Sequence, residues 1–507
     1  MSQTEGSGPG SARGGDAWGP PIEADVEALC AAYLAEWRVL PVVEGDRLRV
    51  LCATAPDPQV LDDLRWHFGR DISIEPLSEG EVDAALTRLE HGDARDAADL
   101  ITALSEPESA AGDRDGDLSA RVQEGPVIRL VNAMLREALE MHASDVHLET
   151  GQHGLDVRYR IDGVLVRAVP PPPEMAVAVI GRLKVMGELD VAERRRPQDG
   201  RVRLRVEGRG VDVRISTLPT LHGESLVLRL LETGDRRVGL EHLGMDPALR
   251  ARFEEMLARP QGLLLATGPT GSGKTTTLYA ALDHLRTGRE KVVTVEDPVE
   301  YALTGVAQVP VNRKAGVTFA SALRSILRQD PDVILVGEMR DPETAEICVQ
   351  SALTGHLVLS TLHTNDAPSA LVRLVDLNIA PYLVASTVDG VLAQRLVRTV
   401  CPECADEVPP PATVSAEMEA ANLSAARVRR ARGCGACRST GYRGRTGIYE
   451  LLEVNQGVRN ALLRGEGTGA IRSAAAEAGM RRLREDGWRL VAMGLTTPEE
   501  IFRVAHA

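Results

Sequence analysis

The chain is 507 residues long, more than one hydrophobic core usually organises, so two or three domains are expected. Hydrophobic residues make up 43% and charged residues 26%, and no apolar run reaches the roughly eighteen residues a bilayer span needs, which excludes an integral membrane protein. A formal net charge of −15 disfavours a broad electrostatic footprint for DNA or RNA, leaving room only for a basic channel inside an acidic whole.

Residues 1–21, rich in Gly, Ser and Pro and without the apolar core of a signal peptide, are predicted to form a disordered cytoplasmic tail. Over 22–104, helical segments (VEALCAAYLAEW, PQVLDDLRWHFG) mix with strands (LRVLCAT, DISIEPL), predicting a small α/β docking domain without chemical motifs. The polar, acidic stretch 105–119 reads as a flexible linker.

A second domain is expected over 120–235. It opens with a helix whose apolar face is Ile128, Val131, Leu135 and Leu139, and continues in strands that alternate apolar and polar residues (DVHLE, LDVRYRI, VLVRAV, RVRLRV, VDVRIST, ESLVLRLL). The pattern predicts an antiparallel sheet with helices on one side, an α+β (PAS-like) domain with an arginine-rich exposed face. From 236 to 507 the pattern changes to apolar runs between helices: GLLLAT, KVVTVE, DVILVG and HLVLST. Such runs suit strands of a parallel sheet covered on both faces, the α/β class.

Within that half, Gly268, Pro269, Thr270, Gly271, Ser272, Gly273, Lys274, Thr275 and Thr276 form a G-x-x-x-x-G-K-T loop between a strand and a helix. Its glycines let backbone N–H groups turn inward around phosphates, and the helix N-terminus adds partial positive charge. Lys274 is expected to reach the β- and γ-phosphates of ATP and Thr275 to ligate Mg²⁺. Two acidic segments follow at predicted strand ends, VVTVEDPVE with Glu296 and Asp297, and DVILVGEMRD with Glu338. Strand carboxyl ends line the nucleotide crevice, so Glu296 is assigned to polarise the attacking water and Glu338 to hold magnesium, directly or through water; the two roles can be exchanged. Gly337 stands where many P-loop ATPases carry Asp. Asp297 precedes a proline and can equally start a turn. Of the two histidines of HLVLSTLHTN, His363 at the strand's end is the better candidate γ-phosphate sensor, and His356 reads as a core histidine.

In order, GPTGSGKTTT, TVEDPVE, ILVGEMRD and GHLVLSTLHTND resemble the boxes of the secretion ATPase superfamily of type II secretion and type IV pilus motors, and the resemblance extends over roughly 120–505. It implies a RecA-like P-loop ATPase domain in a homohexamer. It also implies arginines acting on the nucleotide: Arg214 and Arg229 from the second domain, Arg324, Arg328 and Arg340 from the catalytic one, where arginine stabilises charge on the transferred phosphoryl. Left unpartnered by that role, each would be a solvated or acid-paired strand arginine.

Cys401, Cys404, Cys434 and Cys437 form two C-x-x-C pairs with 29 residues between them, bridged by a predicted helix at SAEMEAANLSAARVRRA, within a module at 397–444. Two pairs complete a closed Cys₄ zinc set; a redox dithiol would not need the duplicate. The remaining Cys30, Cys52 and Cys348 lie in apolar stretches as buried thiols. By resemblance, secretion and pilus-extension ATPases carry this module and retraction ATPases lack it. The implied partners are a membrane-anchored cytoplasmic adaptor, bound through 22–104, and a polytopic inner-membrane platform protein, contacted through the zinc region, with the chain cytoplasmic and recruited peripherally. The resemblance thus implies pseudopilus assembly for type II protein secretion, with type IV pilus extension as the alternative. A nucleic-acid translocase is disfavoured because aromatic residues, at 3%, offer few stacking platforms. A cyclic-dinucleotide-sensing N-terminal domain lacks a recognisable motif repeat.

Overall fold

The computed structural model describes residues 38–44, 47–54, 56, 58, 60, 61, 64, 71–76, 78, 82, 125–206, 209–233 and 238–505. The expected tail at 1–21, the helix VEALCAAYLAEW with Cys30 and the linker at 105–119 lie outside these residues. The chain divides into two compact units: one runs to Ile161 and adds Leu165–Glu232, the other holds Asp162–Val164 and everything from Thr233 onward.

In the first unit, β1 (Val39–Glu44) pairs antiparallel with β2 (Arg47–Cys52), which pairs parallel with β3 (Asp71–Pro76). A parallel partner requires a crossover; residues 58, 60, 61 and 64 within it are helical, with Val60 and Leu64 buried like Leu48 and Val50. The same unit holds α1 (Gly125–Glu140), β4 (Ala143–Gly151), β5 (Gly154–Ile161), β6 (Val164–Arg167), α2 (Ala176–Met186), β7 (Gln198–Val206), β8 (Arg209–Thr220) and β9 (Gly223–Thr233). The strands order as β6-β5-β4-β9-β8-β7, antiparallel in the pairs β4–β5, β4–β9 and β7–β8. Alternate residues such as Val157, Tyr159, Val213, Ile215, Leu226 and Leu228 face one core with both helices. The α1 face is rotated from the expected one: Ile128 is half-buried, and Val127, Leu130, Met134 and Ala138 are buried beside Val131 and Leu135. The sheet's arginines meet cross-strand acids, as Arg158 with Glu149 and Arg201 with Asp212.

The second unit contains α3 (Pro247–Leu257), β10 (Gly262–Thr267), α4 (Lys274–Leu285), β11 (Val292–Glu296), β12 (Ala307–Pro310), α5 (Phe319–Ile326), β13 (Val333–Val336), α6 (Pro342–Leu353), β14 (Leu357–Leu362), α7 (Ala367–Asp376) and α8 (Pro381–Thr387). It continues with β15 (Val388–Val400), β16 (Asp406–Val408), α9 (Ala412–Ala420), β17 (Val428–Arg430), β18 (Tyr442–Glu453), α10 (Gln456–Leu463), α11 (Thr468–Glu477), α12 (Leu483–Ala492) and α13 (Pro498–Val504). The sheet order is β12-β11-β13-β14-β10-β15-β18. In β10, Leu263 and Leu265 enter one core while Leu264 and Ala266 enter the core on the opposite face, which is why the strand reads as an unbroken apolar run.

Two expectations are corrected. The sheet is mixed rather than parallel, because β18 returns antiparallel along β15 from Gly390↔Glu453 to Val400↔Tyr442. A long two-strand ribbon needs no crossover helix, so its second strand lacks the alternating helix–strand pattern that marks the rest. The expected helix at SAEMEAANLSAARVRRA stops at Ala420, just before Asn422 takes a left-handed φ of 56°, and the remainder supplies β17, paired antiparallel with β16.

Candidate active site

The loop after β10 is shaped by close approach. Gly268, Gly271 and Gly273 have φ of 148°, 79° and 89°. A Cβ at Gly268 would lie 2.6 Å from the Gln394 carbonyl oxygen, so only glycine fits there. Beneath the loop, Gln394 Nε2 donates to the Ser272 carbonyl at 2.7 Å. Gly273 caps α4, leaving Thr275 and Thr276 exposed on its first turn beside the exposed Pro269, Thr270 and Gly271. Lys274 is 8% exposed, and its Nζ donates to the carbonyls of Gly268 (2.7 Å) and Pro269 (3.1 Å). Burial first, then the Arg395 guanidinium, push its ammonium down to about 8, against the pull of Glu338. This buried cation, a helix N-terminus and an open glycine loop together suit an anionic phosphate chain.

β13 delivers Glu338 to the same place. Its carboxylate, mostly buried, meets Arg340 Nε at 2.5 Å and His363 Nε2 at 3.6 Å. Partial burial and then Lys274 hold the His363 imidazole below its ordinary value, with Glu338 opposing. The β14 end that carries His363 is tied to the P-loop strand, since Thr364 N donates to Thr267 Oγ1 at 2.9 Å. Gly337, the departure from an Asp at that position, has a steric cause: a Cβ there would lie 3.3 Å from the Val295 carbonyl oxygen and 3.4 Å from Glu296 Cα. Both neighbours are backbone atoms of the adjacent strand and yield little.

Glu296 ends β11 at 4% exposure, with Oε2 accepting from the Tyr279 hydroxyl and Oε1 from Thr294 Oγ1 (2.6 Å) and Gln308 Nε2 (3.2 Å). Asp297, joined to Pro298 by a cis bond, instead accepts from Arg313 at 3.4 Å. His356 sits at the opposite end of β14, its Nδ1 2.9 Å from the Ser351 carbonyl oxygen, a satisfied structural histidine.

The arginines divide. Arg340 joins Glu338, whereas Arg324 pairs with Glu343 at 2.5 Å on the surface and Arg328 donates to the Arg324 carbonyl at 2.7 Å. In the first unit, Arg214 lies half-buried opposite Arg201 and Arg229 donates to Asp145 at 3.0 Å. No sequence motif marks Tyr279, Gln308, Gln394 or Arg395. Arg395 donates to the Asn365 carbonyl at 3.1 Å and its side-chain oxygen at 3.2 Å. Each of the four sits in an ordinary-looking helix or strand, and only the folded register brings it to the loop or to Glu296.

The four cysteines close a separate site between the ends of β15 and β18. Their sulfurs lie within 4.8 Å of one another, with 3.7 Å between Cys404 and Cys437 and between Cys434 and Cys437, and 4.0 Å between Cys401 and Cys434. Metal–sulfur bonds of about 2.3 Å in a tetrahedron put sulfurs about 3.8 Å apart, so the set fits zinc. Backbone N–H groups of Gly433, Cys434 and Gly441 donate to Cys404 or Cys437 at 3.1–3.3 Å, the support a thiolate set needs. The module is fastened to the core of the second unit through buried Val414 and Met418 on α9 and through Glu417, which accepts from Arg484 (2.6 and 2.7 Å) and Trp488 (3.1 Å).

A family model described as type II/IV secretion system protein matches residues 120–503. The chain is 48% identical over 443 residues to type II secretion system protein E of Pseudomonas aeruginosa, covering 86% of this chain and 88% of that one. It is 44% identical over 442 residues to type II secretion system ATPase E of Vibrio cholerae, covering 84% and 86%. The fold is similar to that of the crystal structure of the pilus retraction motor PilT with bound ADP, with a TM-score of 0.51 and 27% identity over 74% of this chain and 97% of that one.

Proposed function

The chain belongs to the type II/IV secretion system protein family, and from that premise we propose how its residues make it the ATP hydrolase that powers type II protein secretion. The observation that carries the reading is the convergence of Lys274, Glu338, Arg340 and His363 at one P-loop, in a chain this similar to secretion ATPases along most of its length.

Lys274 exchanges its loop carbonyls for the β- and γ-phosphate oxygens of ATP, while Gly268–Thr276 wraps them with backbone N–H groups. Thr275 and Glu338 would hold magnesium, which when bound neutralises phosphate charge. Glu296 orients the attacking water and takes its proton. His363, kept neutral by burial and Lys274, donates or accepts a hydrogen bond at the γ-phosphate without adding charge. Arg340 balances Glu338. Arg214 and Arg229, together with the exposed Arg324 on α5 and the exposed Arg328 in the turn just beyond it, are assigned to the nucleotide of the same or a neighbouring subunit in a homohexamer, so that turnover moves one subunit against the next.

Among the described residues no helix is long and apolar enough to cross a membrane. Recruitment to the inner membrane then falls to partners: an adaptor at 22–104 and a platform protein at the tetracysteine module. Zinc in that module is structural, with all four positions filled by cysteine. Metal analysis should return one zinc per chain, and chelation should lower the unfolding temperature; a folded, metal-free chain would remove the assignment.

Type IV pilus extension is the second reading: the fold is also like that of a pilus motor, although that one is a retraction motor. In the bacterium that encodes the chain, deleting its gene should abolish release of exported proteins into the medium and leave surface pili intact. Lost pili with secretion preserved would select the alternative.

A further inference from the structure

Glu296 is not simply a carboxylate at a strand end. Three donors from three elements close on it: the Tyr279 hydroxyl from α4, Thr294 Oγ1 from β11 itself and Gln308 Nε2 from β12. Gln308 also bonds the Tyr279 hydroxyl (3.4 Å) and the Tyr301 carbonyl (3.2 Å), and its own Oε1 accepts from Leu303 N at 2.7 Å, which fixes which way its amide faces. The Tyr301 ring stands edge-on to Tyr279 with centroids 4.6 Å apart. Tyr279 is 2% exposed and Thr294 wholly buried, so their two bonds to Glu296 have no water as a ready substitute.

We propose that Tyr279 is a positioning residue for hydrolysis, its hydroxyl setting the direction of the Glu296 carboxylate through the bond to Oε2 while Thr294 and Gln308 fix Oε1. This rests on Glu296 being the base. A carboxylate offers about four acceptor sites. Three are taken here, so one lone-pair direction is left for the attacking water. Tyr279 lies one and a half turns beyond Lys274 on α4, so the helix that binds phosphate through its first turn aims the base through its second. Burial, and then Glu296 itself, push the Tyr279 phenol far above its ordinary value, so it stays a donor throughout the working range.

The test is steady-state ATP hydrolysis by the full chain carrying Tyr279→Phe, with Thr294→Val as a second variant and Glu296→Gln alongside. Both first variants should lower kcat roughly tenfold, about what one hydrogen bond to a charged group is worth, with KM for ATP unchanged and the unfolding temperature lowered as the buried carboxylate loses a donor. An unchanged kcat in a folded Tyr279→Phe protein, an increased kcat, or a raised KM with kcat intact would each overturn the proposal. Should Tyr279→Phe not fold, Thr294→Val decides on the same criteria. Full turnover by Glu296→Gln would instead remove the assignment of the base.

Discussion

Lys274→Ala is expected to abolish ATP hydrolysis, with turnover falling at least about a hundredfold, while the chain folds as before. The first half follows from charge: no other side chain of the loop carries a cation, and removing a single donor to developing charge commonly costs on the order of a hundred- to a thousandfold. The second half follows from the sign of the pKa shift. The Lys274 ammonium is pushed down to about 8 by burial and by Arg395, so the folded chain holds this proton less tightly than the unfolded chain does. Below pH 8 its charge therefore works against folding, and that cost fades as pH rises through 8. Alanine removes the cost, so the unfolding temperature at pH 7 should stay level or rise. A variant that hydrolyses ATP at the parent rate would take Lys274 out of the site.

Glu296→Gln is expected to bind ATP and fail to turn it over, lowering kcat by about a hundred- to ten-thousandfold, the range of a lost general base. The substitution keeps size and shape in a pocket where Glu296 is 4% exposed. The amide oxygen can still accept from Thr294 and Gln308, and the Tyr279 hydroxyl can turn from donor to acceptor. The fold and nucleotide affinity should survive, so labelled ATP should remain on the protein unhydrolysed. Parent-like turnover would move the base role to Glu338, the exchange that the sequence itself leaves open.

Much of the catalytic half was readable because its chemistry is local. The loop motif, its flanking strand and helix, and the apolar runs of β10, β11, β13 and β14 each signal within a dozen residues, since strands buried on both faces show no alternation. Paired cysteines are equally local. What escaped is non-local. β15 and β18 lie on either side of the tetracysteine module, and neither strand alone says that they pair. Gln394 and Arg395 look like any residues of a long strand until β15 lies against β10 and brings them under the loop. Tyr279 reads as core on a helix, which it is, and its hydroxyl gains meaning only from the approach of Glu296 and Gln308. Gly337 read as a departure from other ATPases, and its reason, the backbone of β11 at 3.3 Å, exists only in the folded sheet.

The central claim is that this P-loop engine works on protein machinery and not on nucleic acid. It is tested most directly by the ATP turnover of the purified full chain with magnesium, in the presence and absence of single-stranded DNA. Hydrolysis that DNA leaves unchanged is expected. A severalfold stimulation by DNA would contradict it and mark the chain as a translocase.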